Sequence, residues 1–221
     1  VTAPEKSMAF KPKQLSFEQA AAVPMAAVTA LQGLRDEGRL QAGQKVLIHG
    51  ASGGVGTFAV QIAKALGAEV TAVCSTSKVD QARRLGADHV IDYTREDFAV
   101  AGQQYDLILG VNGDRSLGDY EKALTPTGIY VMAGGSTSQI FSAALLGSFK
   151  SKAGGKTFKT VSAKPNRADL EVMVKLIEAG KVMPVMDRCY PLEETADAIR
   201  YVEGKHAQGK VVVVVVPGDS A

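Results

Sequence analysis

The chain has 221 residues, 46% of them hydrophobic, 22% charged and 6% aromatic, with a net charge of +2. That size suits one large α/β domain, or one domain with part of another, and the composition excludes disordered, collagen-like and low-complexity chains. The charge gives no reason to expect nucleic acid or an anionic membrane as a partner. Two cysteines, Cys74 and Cys189, cannot build a disulfide framework and suit a reducing compartment.

Residues 1–14, rich in Pro and Lys, read as a linker or the tail of an earlier element, and the start at Val1 rather than Met suggests that this is not a natural translation start. No apolar stretch of signal-peptide length opens the chain. The most apolar run, Val211–Val216, is far short of the roughly 18 to 20 residues of a membrane span. The expectation is a cytoplasmic protein, with the valines forming a strand buried on both faces.

Ser16 precedes an Ala-rich stretch, Phe17 to Leu34, and suits the N-cap of a helix that Pro24 breaks or restarts. From Gln44 a rhythm of apolar strand, turn and amphipathic helix sets in. The strands are Lys45–His49, Glu69–Cys74, His89–Asp92, Tyr105–Leu109 and Gly128–Met132, and Phe58, Ile62 and Leu66 mark the buried face of the first intervening helix, which Gly67 ends. Alternation of this kind builds βαβ units and a parallel sheet. Further on, Lys150–Lys164 carries five lysines and reads as a mobile loop leading into a strand, Thr157–Ala163. Asn166 with Asp169 opens a helix whose inner face is Leu170, Met173, Val174 and Ile177. A strand near Val185–Tyr190, a helix from Glu193 to Glu203 and the valine strand follow, with no internal repeat.

The segment Lys45 to Gly67 holds the main functional signal. Its turn, Gly50-Ala51-Ser52-Gly53-Gly54-Val55-Gly56, lacks a literal G-x-G-x-x-G but reads A-x-G-x-x-G. Gly53 lets the backbone approach a pyrophosphate, and Gly56 lets the helix pack closely on the sheet. Free N–H groups at the helix start then stabilise the phosphate charge. A glycine turn can be a mere tight connection, but placement between a buried strand and an amphipathic helix favours a dinucleotide site. An NAD-specific site places an acid about 20 residues past the glycines. Here that place reads Cys74-Ser75-Thr76-Ser77-Lys78, with no acid before Asp80. Hydroxyls and an ammonium suit a 2′-phosphate, so NADP(H) is favoured over NAD; the alternative is a solvated turn that happens to hold a lysine.

GASGGVG, QIAKALGAEVTAV, LGADHVIDY and GKVMPVMDRCYPLEETADAIRYVEGKHAQGKVVVVV resemble the zinc-independent, quinone-oxidoreductase branch of the medium-chain dehydrogenase/reductase superfamily. The likeness runs from about Phe10 to Val216. Zinc alcohol dehydrogenases of the superfamily more often carry glycine where Ala51 stands. The resemblance implies an α/β fold, a Rossmann-like doubly wound parallel sheet with a C-terminal remnant of the GroES-like catalytic domain, whose main part precedes Val1. The division it implies is a linker over 1–14, the NADP(H)-binding domain over 15–163 and a returning segment over 164–221, whose valine strand pairs in the absent sheet.

Carried over by position, Ser52, Gly53, Gly54 and Val55 match the pyrophosphate loop. Ser75, Lys78 and Tyr93 match the surroundings of the adenosine 2′-phosphate. Thr29 matches a threonine near the nicotinamide, and Asn112 a position along the cofactor. Ala133, Gly134 and Gly135 match the turn that meets the carboxamide, and Val161, Ser162 and Ala163 line the same end. Tyr93 is read equally as an aromatic packed beside its strand, and Thr29 and Asn112 as helix and turn residues. His49, His89 and His206 lack ligand spacing and read as structural or exposed; no metal ligand and no catalytic residue is assigned. A catalytic zinc held by the upstream segment stays open.

The implied activity is NADPH-dependent hydride transfer to a quinone or an α,β-unsaturated carbonyl, with this piece alone binding cofactor weakly or not at all. The alternatives are a zinc alcohol dehydrogenase of the same superfamily and a non-catalytic NADP(H)-binding protein. Members often dimerise through sheet edges, so a homodimer is an expectation of the resemblance alone.

Overall fold

The computed structural model describes residues 2–111, 115–134, 155–204 and 207–215. Its centre is a six-stranded sheet in the order β3-β2-β1-β4-β5-β6. The strands are β1 (Lys45–His49), β2 (Glu69–Cys74), β3 (His89–Asp92), β4 (Tyr105–Gly110), β5 (Leu124–Met132) and β6 (Thr157–Thr160). Every neighbouring pair is parallel, which is the doubly wound Rossmann-like arrangement.

Strand alternation sorts the apolar residues onto two faces. Val46, Ile48, Leu107, Leu109 and Val131 point into one core with Phe58, Ile62, Met173 and Ile177. Leu47, Val73, Ile108 and Met132 point into the other, which is largely aromatic: Phe98, Tyr105, Tyr120, Tyr130 and Phe158. Being covered on both sides is why β1 and β4 read as continuous apolar runs.

The helices follow local rules, with some departures from the sequence expectation. Ser16 caps α1 (Phe17–Ala21) in a capping box: its Oγ accepts the Gln19 N–H at 3.2 Å, and Gln19 Oε1 accepts the Ser16 N–H at 3.0 Å. The stretch to Leu34 is divided at Pro24, as expected, and a π-helical turn takes up its end. Pro24 starts α2 (Pro24–Leu31), which runs into a π-helical turn over Gln32–Glu37. Phe58 and Ile62 of α3 (Gly54–Ala65) are fully buried, and Gly67, with φ +84°, closes that helix. The remaining helices are α4 (Val79–Arg84), α5 (Leu117–Ala123), α6 (Arg167–Glu178) and α7 (Thr195–Glu203).

β5 begins at Leu124, ahead of the expected Gly128, because Leu124 pairs with Tyr105 before the register shifts to Leu107↔Ile129. The polar Thr125-Pro126-Thr127 between them hides that extension, Pro126 having no N–H for a ladder. β6 stops at Thr160 rather than Ala163; Val161 adds one more bond, its N–H donating to Met132 O at 2.9 Å. Residues 150–154 of the expected lysine-rich loop lie outside the described residues.

A second sheet pairs β7 (Met186–Pro191) in parallel with β8 (Lys210–Val214). The expectation of a valine strand buried on both faces is corrected here. β8 is half-buried along its length and Val215 is 67% exposed, since β7 is its one strand neighbour among the described residues. Val216 lies outside them. No helix among the described residues is long and apolar enough to cross a membrane.

The π-helical turn and α6 are tied by a buried polar knot. Asp169 accepts bonds from Arg35 Nη2, Gln32 Nε2 and Asn166 Nδ2, each at 2.7 Å. Gln32 also grips the backbone of Lys164, accepting its N–H at 3.0 Å and donating to its carbonyl at 2.9 Å. Burial would raise the Asp169 carboxyl, yet the bonds from Gln32, Arg35 and Asn166 hold it below the usual carboxylate range. Asp169→Ala leaves these donors without their shared acceptor and is expected to cost about 2 to 3 kcal/mol. Arg167→Ala, which removes only exposed ion pairs, should stay within about 0.5 kcal/mol. Urea unfolding of the two variants checks the contrast.

Candidate dinucleotide site

The parallel registers bring the carboxyl ends of the strands to one level: His49 is opposite Val73 and Gly110, Cys74 opposite Asp92, and Gly110 opposite Met132. From β1 the chain builds outward through β2 and β3, then returns to add β4 on the other side of β1. The crevice left at such a reversal is where open α/β sheets bind ligands.

The turn after β1 shapes that crevice. Gly50 takes φ +91°, a conformation that favours glycine, and the N–H groups of Gly50 and Ala51 both donate to Val73 O, at 3.2 and 3.1 Å. At Gly56 a Cβ would lie 2.1 Å from Gly50 O, so only glycine lets α3 start against the turn. Gly53 is different: it has ordinary φ and ψ, and a Cβ there would meet nothing within 4 Å. Its bare face opens onto a cavity, where the first N–H groups of the 12-residue α3 present partial positive charge.

That cavity has a volume of about 380 Å³, within the range of small-molecule sites. Ser52, Gly53, Gly54 and Val55 form one wall; Cys74, Ser75 and Lys78 form another with Tyr93; His49, Val73 and Val111 lie at the strand ends. Val202, Ala207 and Lys210 close it from the C-terminal segment. Among the described residues, two ammonium groups line it and no carboxylate does.

Each lysine is held by its stem or its tip. Lys78 ends a 3₁₀ turn, Thr76–Lys78, and its Nζ donates to Ala207 O at 3.4 Å. Lys210, the first residue of β8, crosses above Gly54, its Cδ 2.8 Å from where a Cβ on that glycine would stand. Its Nζ has no hydrogen-bond or ion-pair partner among the described residues, and burial pulls the ammonium below its usual range. An ammonium held over the N-terminus of a helix is a pairing that an anion between them relieves.

Seven of the sequence-derived residues therefore meet in one cavity: Ser52, Gly53, Gly54, Val55, Ser75, Lys78 and Tyr93. Of the others, none among the described residues lines it. Thr29 is buried in α2, where its hydroxyl donates to Met25 O at 2.7 Å, a helix-internal role. Ala133 and Gly134 follow β5 beside the cavity: the Ala133 N–H donates to Gly110 O at 2.8 Å, and a Cβ on Gly134 would lie 2.3 Å from Val111 O. Val161, Ser162 and Ala163 follow β6, one strand further on. Asn112, Gly135 and His206 lie outside the described residues.

Sequence reasoning missed Lys210, Val111, Val202 and Ala207, and treated His49 only as a structural or exposed residue. His49 is buried, with Nδ1 2.8 Å from Tyr120 Oη and its ring edge-on to Phe98 at 5.2 Å, yet it also faces the cavity. Burial, and then the charge of Arg115, push it down to about 4, against the opposing pull of Asp97. Burial likewise pushes the Cys74 thiol up to about 11, so it stays protonated and is no nucleophile.

His49 sets a pH dependence. Its folded pKa lies below the unfolded value near 6.5, so the unfolded chain takes up a proton first as pH falls. The His49 contribution to stability should be constant above about pH 7 and decline from there toward pH 4, by roughly 3 kcal/mol in all. Urea unfolding between pH 8 and 4.5 should show this decline, flattened in His49→Gln. The glycines give a second contrast: Gly56→Ala should cost about 1 to 3 kcal/mol through overpacking, and Gly53→Ala less than about 1 kcal/mol, measured by thermal unfolding.

Comparison with known proteins agrees with this geometry. The sequence profile described as zinc-binding dehydrogenase matches residues 85–213. The NADPH-dependent alkenal/one oxidoreductase of Arabidopsis thaliana chloroplasts is 36% identical over 96% of this chain and 51% of its own length. Among solved structures, the quinone oxidoreductase from Coxiella burnetii superposes with a TM-score of 0.81 at 32% identity, over 92% of this chain and 62% of the other. A NAD-dependent alcohol dehydrogenase gives 0.83 at 30% identity, over 97% and 63%. The chain spans about half the length of the curated relatives it matches. Among the described residues, no three His, Cys, Asp or Glu side chains are grouped to hold a metal ion. The chain belongs to the zinc-binding dehydrogenase family within the medium-chain dehydrogenase/reductase superfamily.

Proposed function

We propose that this chain carries the cofactor site of an NADP(H)-dependent oxidoreductase that reduces a quinone or an α,β-unsaturated carbonyl. The observation that carries the reading is the cavity at the sheet's reversal point, walled by a helix N-terminus, Ser75, Lys78 and Lys210, with no carboxylate lining it among the described residues. A carboxylate there would accept bonds from a ribose 2′-hydroxyl and repel a 2′-phosphate. The names of the relatives supply the class of acceptor.

The residues divide the work by position. The bare face of Gly53 and the N–H groups that open α3 would hold the pyrophosphate, with Lys210 above Gly54 as its counter-charge. Ser75 and Lys78 would take the 2′-phosphate, and Tyr93 the adenine side of the cavity. Ala133, Gly134 and Val161, stepping away along the carboxyl ends of β5 and β6, would direct the nicotinamide end. When bound, the nicotinamide supplies the hydride, and the protein supplies orientation and charge.

A second reading, an alcohol dehydrogenase using NAD, is favoured by the likeness to the solved enzyme of that description. The full-length protein separates the two. NADPH oxidation with a quinone or an enone is the expected result, whereas NAD-linked alcohol oxidation without it would favour the second reading. Binding titrations test the residues. Lys78→Ala should weaken NADPH about tenfold or more and leave NADH nearly unchanged. Lys210→Ala should weaken both cofactors alike, because the pyrophosphate is common to them.

A further inference from the structure

We propose that Asp92 is a specificity-positioning residue, a buried carboxylate that holds the Ser75–Lys78 turn in the shape that receives a 2′-phosphate. The inference deepens, and rests on, the NADP(H) reading of the same cavity.

The two segments that flank the adenosine end of the cavity come from adjacent strands. Register sets Cys74 of β2 opposite Asp92 of β3, and the Tyr93 N–H donates to Cys74 O at 3.1 Å. Beyond that bond the chains part, one into the Thr76–Lys78 turn and the other past Tyr93 into Thr94. Asp92 spans the gap. Its Oδ2 accepts the Thr76 hydroxyl at 2.5 Å, and its Oδ1 accepts the Thr94 N–H at 3.0 Å and the Thr94 hydroxyl at 2.8 Å. The two threonine hydroxyls also lie 3.0 Å apart, and Arg95 Nε stands 3.6 Å from Oδ2.

This arrangement needs an ionised carboxylate turned away from the ligand. Asp92 is 7% exposed and is not among the cavity-lining residues, whereas Ser75 and Lys78 on one side and Tyr93 on the other are. The Thr76 hydroxyl, and after it Thr94, hold the carboxyl below its usual range against the effect of burial, so it is charged near neutrality. An amide in its place would keep one acceptor oxygen but aim an N–H₂ at a hydroxyl or a backbone N–H. The acid that a NAD-specific site would place at the end of β2 thus stands one strand over, where its charge is taken up by hydroxyl donors and organises the turn instead of the ribose.

The test compares NADPH and NADH affinities of the full-length protein by fluorescence titration for the parent, Asp92→Asn, Thr76→Val and Thr76→Ser. Asp92→Asn and Thr76→Val should lower the NADPH:NADH affinity ratio about tenfold. NADH affinity should be nearly unchanged, and Thr76→Ser should keep the parental ratio. A purely structural role would weaken both cofactors together and leave the ratio in place, which overturns the inference. A ratio that rises in Asp92→Asn also overturns it, because the carboxylate would then act as a repelling charge. Should Asp92→Asn fail to fold, Thr76→Val against Thr76→Ser decides alone. A parent with no preference for NADPH refutes the NADP(H) reading itself, whereas a preferring parent with unchanged variants refutes only the role of Asp92.

Discussion

The approach of Gly56 to the Gly50 carbonyl is the contact on which the rest of the site depends. A side chain at Gly56 would drive α3 off the end of β1, because the obstruction is backbone, the carbonyl of Gly50 and the body of Ala51, and backbone cannot swing aside. With glycine there, the helix begins directly over the reversal between β1 and β4, and its first N–H groups face the crevice. The left-handed Gly50 completes the turn by letting two successive N–H groups reach Val73 O. Position and electrostatic sign of the cavity thus follow from one allowance of space.

The rest of the cavity is assembled on that anchor from parts distant in sequence. Strand ends are stitched by single backbone bonds: Val111 N–H to His49 O at 2.9 Å, Ala133 N–H to Gly110 O at 2.8 Å, and Val161 N–H to Met132 O at 2.9 Å. The result is a ledge running from β1 to β6 at a fixed level, with positive charge toward the β2 side. Lys210 reaches the ledge from the second sheet. Burying an ammonium costs solvation, and an anion seated between Lys210 and the α3 N-terminus would offset that cost.

The parts legible in the sequence were those fixed by local chemistry. β1, β2 and β3 fall on the predicted residues because apolar runs bounded by turn residues leave little freedom, and Ser16 and Asn166 cap the helices their side chains predict. The glycine turn is legible for the same reason, since its demands are those of backbone geometry within a few residues. Lys210 was not legible: a lysine before a valine run carries no spacing signal, and only the pairing of β8 with β7 carries it over Gly54. The half-burial of the valines and the early start of β5 were likewise set by neighbours, β7 and Tyr105, rather than by the residues themselves. Asp92 looked like the end of a strand because its partners, Thr76 and Thr94, become neighbours only when β3 pairs with β2.

Two buried carboxylates then lie beyond the two ends of the ledge, and they do the same kind of work. Asp92 joins β3 to the turn that follows β2; Asp169 joins α6 to the π-helical turn and, through Gln32, to the backbone of Lys164, just past Val161–Ala163. Neither lines the cavity, and each is held ionised by neutral or cationic donors. A carboxylate can accept several bonds at once with little strain, which makes it a better fastener than a single hydroxyl or amide where three segments meet. Keeping these negative charges behind the ledge leaves its front for the ligand. The same residue type that would disfavour a 2′-phosphate inside the cavity thereby becomes, one layer back, the means of shaping it.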